Sequence, residues 1–439
     1  MQIEMLLPQN RQLTLDELRN AVVDGDVAEP FHKSVLAACA DFSERVFHDP
    51  EARRHPEMVA LAYSMRKSEL SGLAEQFRAL ELENRVLVPR GLVFHVPPRN
   101  VDTMFVYSWL HAALTGNRSV IRLSSQRSDA ANILVRLLRE TLATSEETTR
   151  GSTVIVSYGH EEEATALLSS LCDVRVIWGG DQTVQAIRRS PLTPHAKEIT
   201  FPDRYSMAAV KAEAYAALSQ SDRDCLVRQF FNDSYLFDQM ACSSPRLVVW
   251  CGTVEETHSV SADFFSRLAA CVARRQHVLQ AASSIQNLVF TCSTIIGCQV
   301  ESCRRHKGLT VLTVGSLTDF QRDHPGGGLF FEVHLANLIE LSRFLRRRDQ
   351  TLTWFGFAPS ELQSLLRILN GRAIDRLVPM GRALQFHRFW DGYDLLQEFC
   401  RCVYVDSTPV LLSPNSRPTP TKRSPELQEG YANPATYFG

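Results

Sequence analysis

Neither sign of charge is in excess in this chain: 47 Lys and Arg stand against 49 Asp and Glu, a formal net charge of −2. A balance like this lacks the basic field on which nucleic-acid binding draws, and no acidic block marks a solvating tail. Long apolar runs are missing too. The stretch 288–300 comes nearest, but Thr291, Ser293, Thr294, Gly297 and Gln299 interrupt it. It also falls short of the roughly 20 residues that a membrane span needs. The first ten positions carry acidic and polar residues rather than the basic-then-apolar plan of a secretory leader. The expectation is a protein with no membrane span and no nucleic-acid partner, in the reducing cytoplasm.

No CxxC pair occurs among the 11 cysteines, whose spacing is irregular. Cys298, Cys303 and His306 stand close together, but the second ligand pair of a structural zinc site is missing, so no metal is expected. Most of the cysteines read as reduced, small core residues. Hydrophobic content of 44% and charged content of 22% are those of a globular protein with a full core. A length of 439 residues suits two or three domains.

Periodicity divides the chain. Residues 1–85 read as helices: Leu36, Phe42 and Val46, then Met58, Leu61, Ala62 and Met65, recur at helical spacing, and Thr14 with Glu17 has the pattern of a helix start. From residue 90 strands alternate with helices. Residues 91–96 read as a strand, 104–115 as a helix stopped by Gly116-Asn117, 119–123 as a strand and 128–142 as a helix. The strand 174–178 runs into Gly179-Gly180-Asp181 and a further helix. A second alternating stretch follows residue 245 and includes a strand at 288–291. Such repetition implies an α/β fold with a parallel sheet covered by helices on both faces. The boundaries expected are a helical arm over 1–85, a dinucleotide-binding domain over 86–220, a domain carrying a cysteine over 221–405 and a tail over 406–439. The tail holds Pro414, Pro418, Pro420, Pro425 and Pro434 and reads as extended.

Four places stand out for chemistry. Cys242 lies in a polar, Ser-rich turn between a helix and a strand, where a thiol can be partly exposed and act as a nucleophile. An inert loop cysteine fits the same position, and no histidine is near in sequence to serve as its base. Asn100 follows a strand and precedes a helix, at the strand end where open α/β sheets bind ligands. Its amide can donate to an oxyanion, or simply cap the helix. Gly179-Gly180 opens a helix whose backbone N–H groups can hold a diphosphate, though two glycines also make a plain turn. Arg122 with Ser124 closes the strand 119–123, suited to a ribose or its phosphate or equally to solvent.

Taken together, several long stretches resemble the aldehyde dehydrogenase superfamily, and more closely the LuxC family of acyl-CoA reductases. They are HPEMVALAYSMRKSEL, GLVFHVPPRNVDTMFVYSWLHAALTGNRSVIRLSS, DVRVIWGGDQTVQAIRR, FNDSYLFDQMACSSPRLVVW, QTLTWFGF and GRAIDRLVPMGRALQFHRFWDGYDLL, in order between about residues 55 and 405. The resemblance implies an aldehyde dehydrogenase-like fold with a Rossmann-type cofactor domain, an α/β catalytic domain and an oligomerisation arm, hence a homo-oligomer. It implies NADPH as cofactor and an acyl-CoA or acyl-carrier thioester, such as a long-chain fatty acyl group, as substrate, reduced to the aldehyde. It also implies a partner enzyme that supplies the acyl group. Carried over residue by residue, Cys242 matches the acyl-accepting nucleophile and Asn100 the oxyanion amide. Arg122 and Ser124 match the positions that touch the adenosine ribose, and Gly179 and Gly180 the phosphate-side turn.

Phe201 stands where hydrolytic relatives carry the glutamate that activates water, with Asp203 two residues on. The spacing from Cys242 to Arg246 is about one residue shorter than in those relatives. Glu332 aligns roughly with a glutamate that binds the nicotinamide ribose, but a strand-end surface glutamate fits it as well. Reduction is favoured over aldehyde oxidation. An NAD(P)-dependent aldehyde dehydrogenase and a non-catalytic acyl-binding subunit of the same fold stay open.

Overall fold

The computed structural model describes residues 3–408, apart from 24, 83, 160, 278–280, 298, 299 and 319. Two seven-stranded sheets organise the chain. Across the first, the order is Arg11–Leu13, Ile3–Leu7, Thr153–Tyr158, Arg118–Ser124, Leu92–Val96, Val174–Trp178 and Lys197–Phe201. The last five run parallel, and the hairpin at 3–13 adds its strands antiparallel on one edge. Parallel strands covered on both faces need apolar side chains on both, and Leu92–Val96 and Val174–Trp178 are buried at every position. One face packs on the helices Lys33–His48, Pro56–Ser64, Met104–Leu114 and Asp129–Ala143. The other packs on Leu15–Val23, Glu162–Leu171 and Asp181–Arg188.

Met104–Leu114 is buried at all eleven positions, between the sheet and the N-terminal helices. The Gly116-Asn117 stop ends it as the sequence predicts. Gly116 takes φ +80°, and a Cβ there would lie 2.1 Å from the Ala28 carbonyl oxygen. The Asn117 Oδ1 then accepts the N–H groups of Arg90 and Gly91 at 2.8 and 3.0 Å, fixing the entry to the strand Leu92–Val96.

The second sheet runs Val300–His306, Leu309–Val314, Leu329–Leu335, Pro245–Cys251, Tyr205–Lys211, Asp349–Phe355 and Arg376–Pro379. All its pairings are parallel except that of Val300–His306. Helices Gln220–Tyr235 and Val254–Arg274 cover one face, and Pro359–Leu369 with the 3-10 turn Leu338–Arg343 covers the other. A short antiparallel pair, Arg85–Pro89 with Cys400–Tyr404, brings the end of the described chain back beside the first sheet.

Three expectations are corrected. Residues 1–85 are not helical throughout, because Ile3–Leu7 and Arg11–Leu13 form the edge hairpin. Ile3, Met5 and Leu7 all turn into the cores, which gives so short a segment its reason to pair with the sheet. The chain passes from the first sheet to the second at residues 202–204, well before the expected boundary at 220, and Tyr205–Lys211 is already an interior strand of the second sheet. The run 288–291 is helical, inside Ala281–Gly297, despite its β-branched and aromatic residues. Asn287 and Thr291, four apart, face inward there, and Asn287 Nδ2 donates to the Gly327 carbonyl at 2.7 Å. Cys298 and residues 409–439 of the predicted tail lie outside the described residues; among the described residues no cluster of His, Cys, Asp or Glu is set to hold a metal.

Candidate active site

In the first sheet the parallel strands follow the order 153–158, 118–124, 92–96, 174–178, 197–201, so chain direction across the sheet reverses between Leu92–Val96 and Val174–Trp178. Loops leaving neighbouring strands at such a reversal diverge to opposite faces and open a crevice. The loops at this point carry Asn100 on one side and Gly179-Gly180 on the other. Facing them are segments that enter the second sheet: Arg204 before Tyr205–Lys211, Cys242 before Pro245–Cys251, His324 before Leu329–Leu335 and Arg348 before Asp349–Phe355. Together they line a cleft of about 330 Å³.

Cys242 is half-buried in a turn that several buried groups hold. The Ser206 hydroxyl donates to the Cys242 carbonyl at 2.6 Å. Gln239, fully buried at φ +60°, donates from Nε2 to the carbonyls of Pro245 and Leu329 at 3.1 and 3.0 Å, and its Oε1 accepts the Gly328 N–H at 2.7 Å. Gly326, Gly327 and Gly328 all have positive φ, and a Cβ on Gly328 would stand 2.3 Å from the Gly308 carbonyl oxygen. The glycine triplet therefore clamps the cysteine turn.

The electrostatics around the sulfur are mixed. Burial, with the Asp391 carboxylate, pushes the Cys242 thiol up to about 11, while the Gln350 side chain and the Arg246 and Arg376 guanidinium groups act in the opposite direction. Among the described residues, neither arginine forms an ion pair with a carboxylate. Arg246 donates to the carbonyls of Arg204 and Gln239, and Arg376 to those of Ala383 and Gln385 while its guanidinium lies 4.5 Å from the Trp390 ring centre. By contrast, Arg322 is consumed by Asp349 at 2.6 and 2.8 Å.

The rest of the wall is aromatic and aliphatic. Trp178 and Phe201 stack with ring centres 3.5 Å apart and 9° between planes. Phe237, Phe386, Trp390, Met104, Met240 and Leu384 continue the surface. The Trp178 Nε1 donates to Ser108 Oγ at 3.1 Å, and that hydroxyl bonds His95 Nδ1 at 2.7 Å. Burial pushes His95 down to about 3, so the imidazole stays neutral.

Of the six residues singled out from sequence, the fold brings four to this cleft: Cys242, Asn100, Gly179 and Gly180. Asn100 is exposed and is not a helix cap; that position belongs to Thr103. Arg122 and Ser124 do not line the cleft. Arg122 spends its guanidinium on the Tyr158 carbonyl at 3.1 Å and on the Gly159 carbonyl, with the Tyr158 ring beneath it. Ser124 lines a separate small depression with Arg99, Asp102 and Arg127.

The glycine turn leaves room where a side chain would not fit: a Cβ on Gly179 would lie 3.0 Å from Thr183 Cγ2, and one on Gly180 would lie 2.9 Å from Asp203 Oδ2. A glycine cradle at a helix start suits a cofactor diphosphate. Its first N–H, on Asp181, is already taken by Asp203 Oδ2 at 3.2 Å. Glu332 is neither a cleft residue nor a surface one. It is 2% exposed, accepting hydrogen bonds from Trp250 Nε1, Ser261 Oγ, Thr313 Oγ1 and Arg304. Asp391, Gln350, Arg246 and Arg376 were missed from sequence. The Asp391-Gly392 pair between aromatic residues was the one usable signal, for it is a hairpin-turn dipeptide.

Comparison with known proteins agrees with this architecture. The solved structures it resembles include a putative aldehyde dehydrogenase of Burkholderia cenocepacia, with TM-score 0.65 and 15% identity, covering 92% of this chain and 95% of that one. Another is the methylmalonate-semialdehyde dehydrogenase of Oceanimonas doudoroffii, with TM-score 0.66 and 14% identity, covering 92% and 93%. The fold is therefore aldehyde dehydrogenase-like. Among curated proteins, the long-chain acyl-protein thioester reductase of Aliivibrio fischeri is 29% identical over 167 residues, 37% of this chain and 33% of the relative. Its counterpart, reductase 2 of Photobacterium leiognathi, is 26% identical over 166 residues, 38% and 33%. These matches span about a third of the relatives' length. The family model described as acyl-CoA reductase (LuxC) matches residues 69–402, most of the sequence. The chain belongs to the LuxC family of acyl-CoA reductases.

Proposed function

We propose that this protein reduces an acyl thioester, acyl-CoA or carrier-bound, to the aldehyde through an acyl-enzyme on Cys242, with NADPH as cofactor. The observation that carries this reading is the convergence of Cys242, Asn100 and Gly179-Gly180 on one cleft where the strand order reverses. Apolar walls of Trp178, Phe201, Phe237 and Phe386 favour a fatty acyl chain over a small polar acid.

At rest the thiol is protonated, so its proton must leave as the sulfur attacks. Arg246 and Arg376 favour the thiolate and the negative charge that grows on the carbonyl oxygen. The Asn100 amide, which no other described residue engages, is the donor for that oxygen. Ser243, whose hydroxyl is buried without a partner beside the thiol, is a second donor within the same turn. Gly179 and Gly180 would hold the diphosphate of a nicotinamide cofactor, which when bound supplies the hydride. Phe201 stacks on Trp178 where a water-activating carboxylate would otherwise stand, and this keeps the acyl-enzyme from hydrolysis.

The test is intact-protein mass spectrometry after exposure to a panel of acyl thioesters. A mass gain of one acyl group, discharged as aldehyde on adding NADPH, is the expected result. Failure of every thioester to label the protein, or sustained acid formation from aldehyde and NADP⁺ without CoA, defeats the proposal.

A second expectation concerns the cofactor. The Asp203 carboxylate sits on the helix start that a diphosphate would use, and two like charges about 4 Å apart repel by several kcal/mol at an effective dielectric near 20. Asp203→Asn should tighten NADPH binding by roughly tenfold in a fluorescence titration. Weaker binding in the variant would mean that Asp203 serves the cofactor instead of opposing it.

A further inference from the structure

The acyl-enzyme reading leaves one question: where the proton of Cys242 goes. The titratable side chains lining the cleft, apart from arginines and the cysteine itself, are His324, Asp203, Asp323 and Asp391. His324 cannot take it. Its Nε2 bonds the Leu329 carbonyl at 2.8 Å, its Nδ1 accepts the Gly326 N–H at 2.9 Å, and burial pushes it down to about 3. Asp203 is bound at the glycine turn by the Asp181 N–H, and Asp323 projects into solvent 4.0 Å from Arg348.

Asp391 is different. Phe389–Trp390 and Tyr393–Asp394 form a two-residue hairpin whose loop is Asp391-Gly392, at φ +51° and +80°. Positive φ at both loop positions is what a type I′ turn demands, and Asp-Gly supplies it. The turn buries the carboxyl group, with Asp391 3% exposed. Its Oδ1 accepts from Gln350 Nε2, and its Oδ2 from Arg204 Nε at 3.2 Å. Gln350, fully buried at the start of its strand, has its Oε1 3.5 Å from the Ser206 hydroxyl that donates to the Cys242 carbonyl, and its side chain acts on the thiol in the sense that favours thiolate. Carboxylate and amide thus form one buried pair, joined through Ser206 to the cysteine turn, and the carboxylate lines the same cleft as Cys242.

We propose that Asp391 is the proton acceptor for Cys242 across the cleft they share, with Gln350 as the positioning residue that holds the carboxyl group. The step balances with a single proton. The S–H proton moves to Asp391 as the sulfur lone pair forms the new S–C bond. The bond from acyl carbon to the departing sulfur breaks, and Asp391 returns its proton to that sulfur. No net charge enters the cleft at any point.

The surroundings suit the task. Burial raises the Asp391 carboxyl to about 6, opposed by Arg204 and Gln350 and assisted by Asp375, with Arg376, Tyr107, Tyr393 and Cys242 as the other titratable groups facing it. An acceptor is most effective when its pKa lies near the working pH.

The experiment follows single-turnover acylation of the full-length protein by a long-chain acyl-CoA, read by intact mass between pH 5 and 8. In the wild type the rate should rise through a limb near pH 6 and then level. Asp391→Asn should lose that limb and acylate about a hundredfold more slowly. Alkylation of Cys242 by iodoacetamide should not slow in the same variant, because removing a negative charge does not disfavour the thiolate. That contrast separates proton transfer from a merely misplaced sulfur. A variant that acylates at the wild-type rate, or faster, overturns the proposal while leaving the acyl-enzyme reading intact. If Cys242→Ala still forms the same acyl adduct, that reading itself fails. Should Asp391→Asn not fold, the wild-type profile decides: a rate flat from pH 5 to 7 rules Asp391 out, and the limb near pH 6 upholds it.

Discussion

Cys242→Ala is expected to abolish acyl-enzyme formation and to lower thioester-dependent NADPH oxidation by roughly 10⁴-fold or more, the scale on which removal of a nucleophile acts. The exposed cysteines Cys225, Cys292, Cys303 and Cys402 remain in the variant and do not replace it, since none lines the cleft. Binding of NADPH should survive, because Gly179 and Gly180 belong to the opposite wall. Cys242→Ser should behave almost as Ala does. A hydroxyl in the same buried turn is far harder to ionise than a thiol, and even the thiol is held at about 11. The checks are intact mass for the adduct, nucleotide titration for the cofactor and absorbance at 340 nm for turnover. Turnover within tenfold of wild type in the alanine variant would assign the nucleophile elsewhere.

The second large effect is on stability. Glu332 lies mid-strand in the second sheet, and its carboxylate gathers four donors: Trp250 at 3.0 Å, Ser261 at 2.5 Å, Thr313 at 2.6 Å and Arg304 at 2.5 Å. Glu332→Ala strands all four, including a guanidinium, and should cost about 3–5 kcal/mol in denaturant unfolding. Glu332→Gln keeps an acceptor and should cost less. The same site fixes a pH dependence. Against the burial that raises it, His334, Ser261, Thr313 and Arg304 hold the carboxyl down at about 2, below the ordinary value near 4.5 that it regains on unfolding. Its contribution is therefore complete above pH 4.5 and is lost as the pH falls toward 2. The wild type should lose about 3 kcal/mol over that window from this group alone. The alanine variant should lack this part of the acid dependence, and identical acid profiles for the two proteins would contradict it.

Those particulars show what could be read in advance. The alternation of strands and helices around residues 91–178 was legible because parallel strands buried on both faces must be apolar runs, as Leu92–Val96 is. The Ile3–Leu7 hairpin was not legible: strands so short carry little periodicity, and their partner is about 150 residues away. In Ala281–Gly297 apolar residues point outward, Ile285, Val289 and Ile296 among them, while Asn287 and Thr291 face in, so local hydrophobicity misled. At the candidate site, Cys242, Asn100 and the glycine pair could be nominated because each sits at a strand boundary. Glu332 could not be placed, since its role depends on four donors scattered over four other elements. Arg122 looked available as a cation, but the carbonyl groups of Tyr158 and Gly159 claim it. Asp391 is held by Gln350, about 40 positions earlier in the chain, and shares a cleft with Cys242, a proximity that no local pattern reveals.

The Ser108–His95 link beneath Trp178 has a further consequence. With the imidazole neutral down to about pH 3, its link to the indole is kept across the whole physiological range, and this wall of the cleft does not respond to acidity through His95. Selectivity among chain lengths should therefore be identical in mildly acid and mildly alkaline buffer, even where turnover is not.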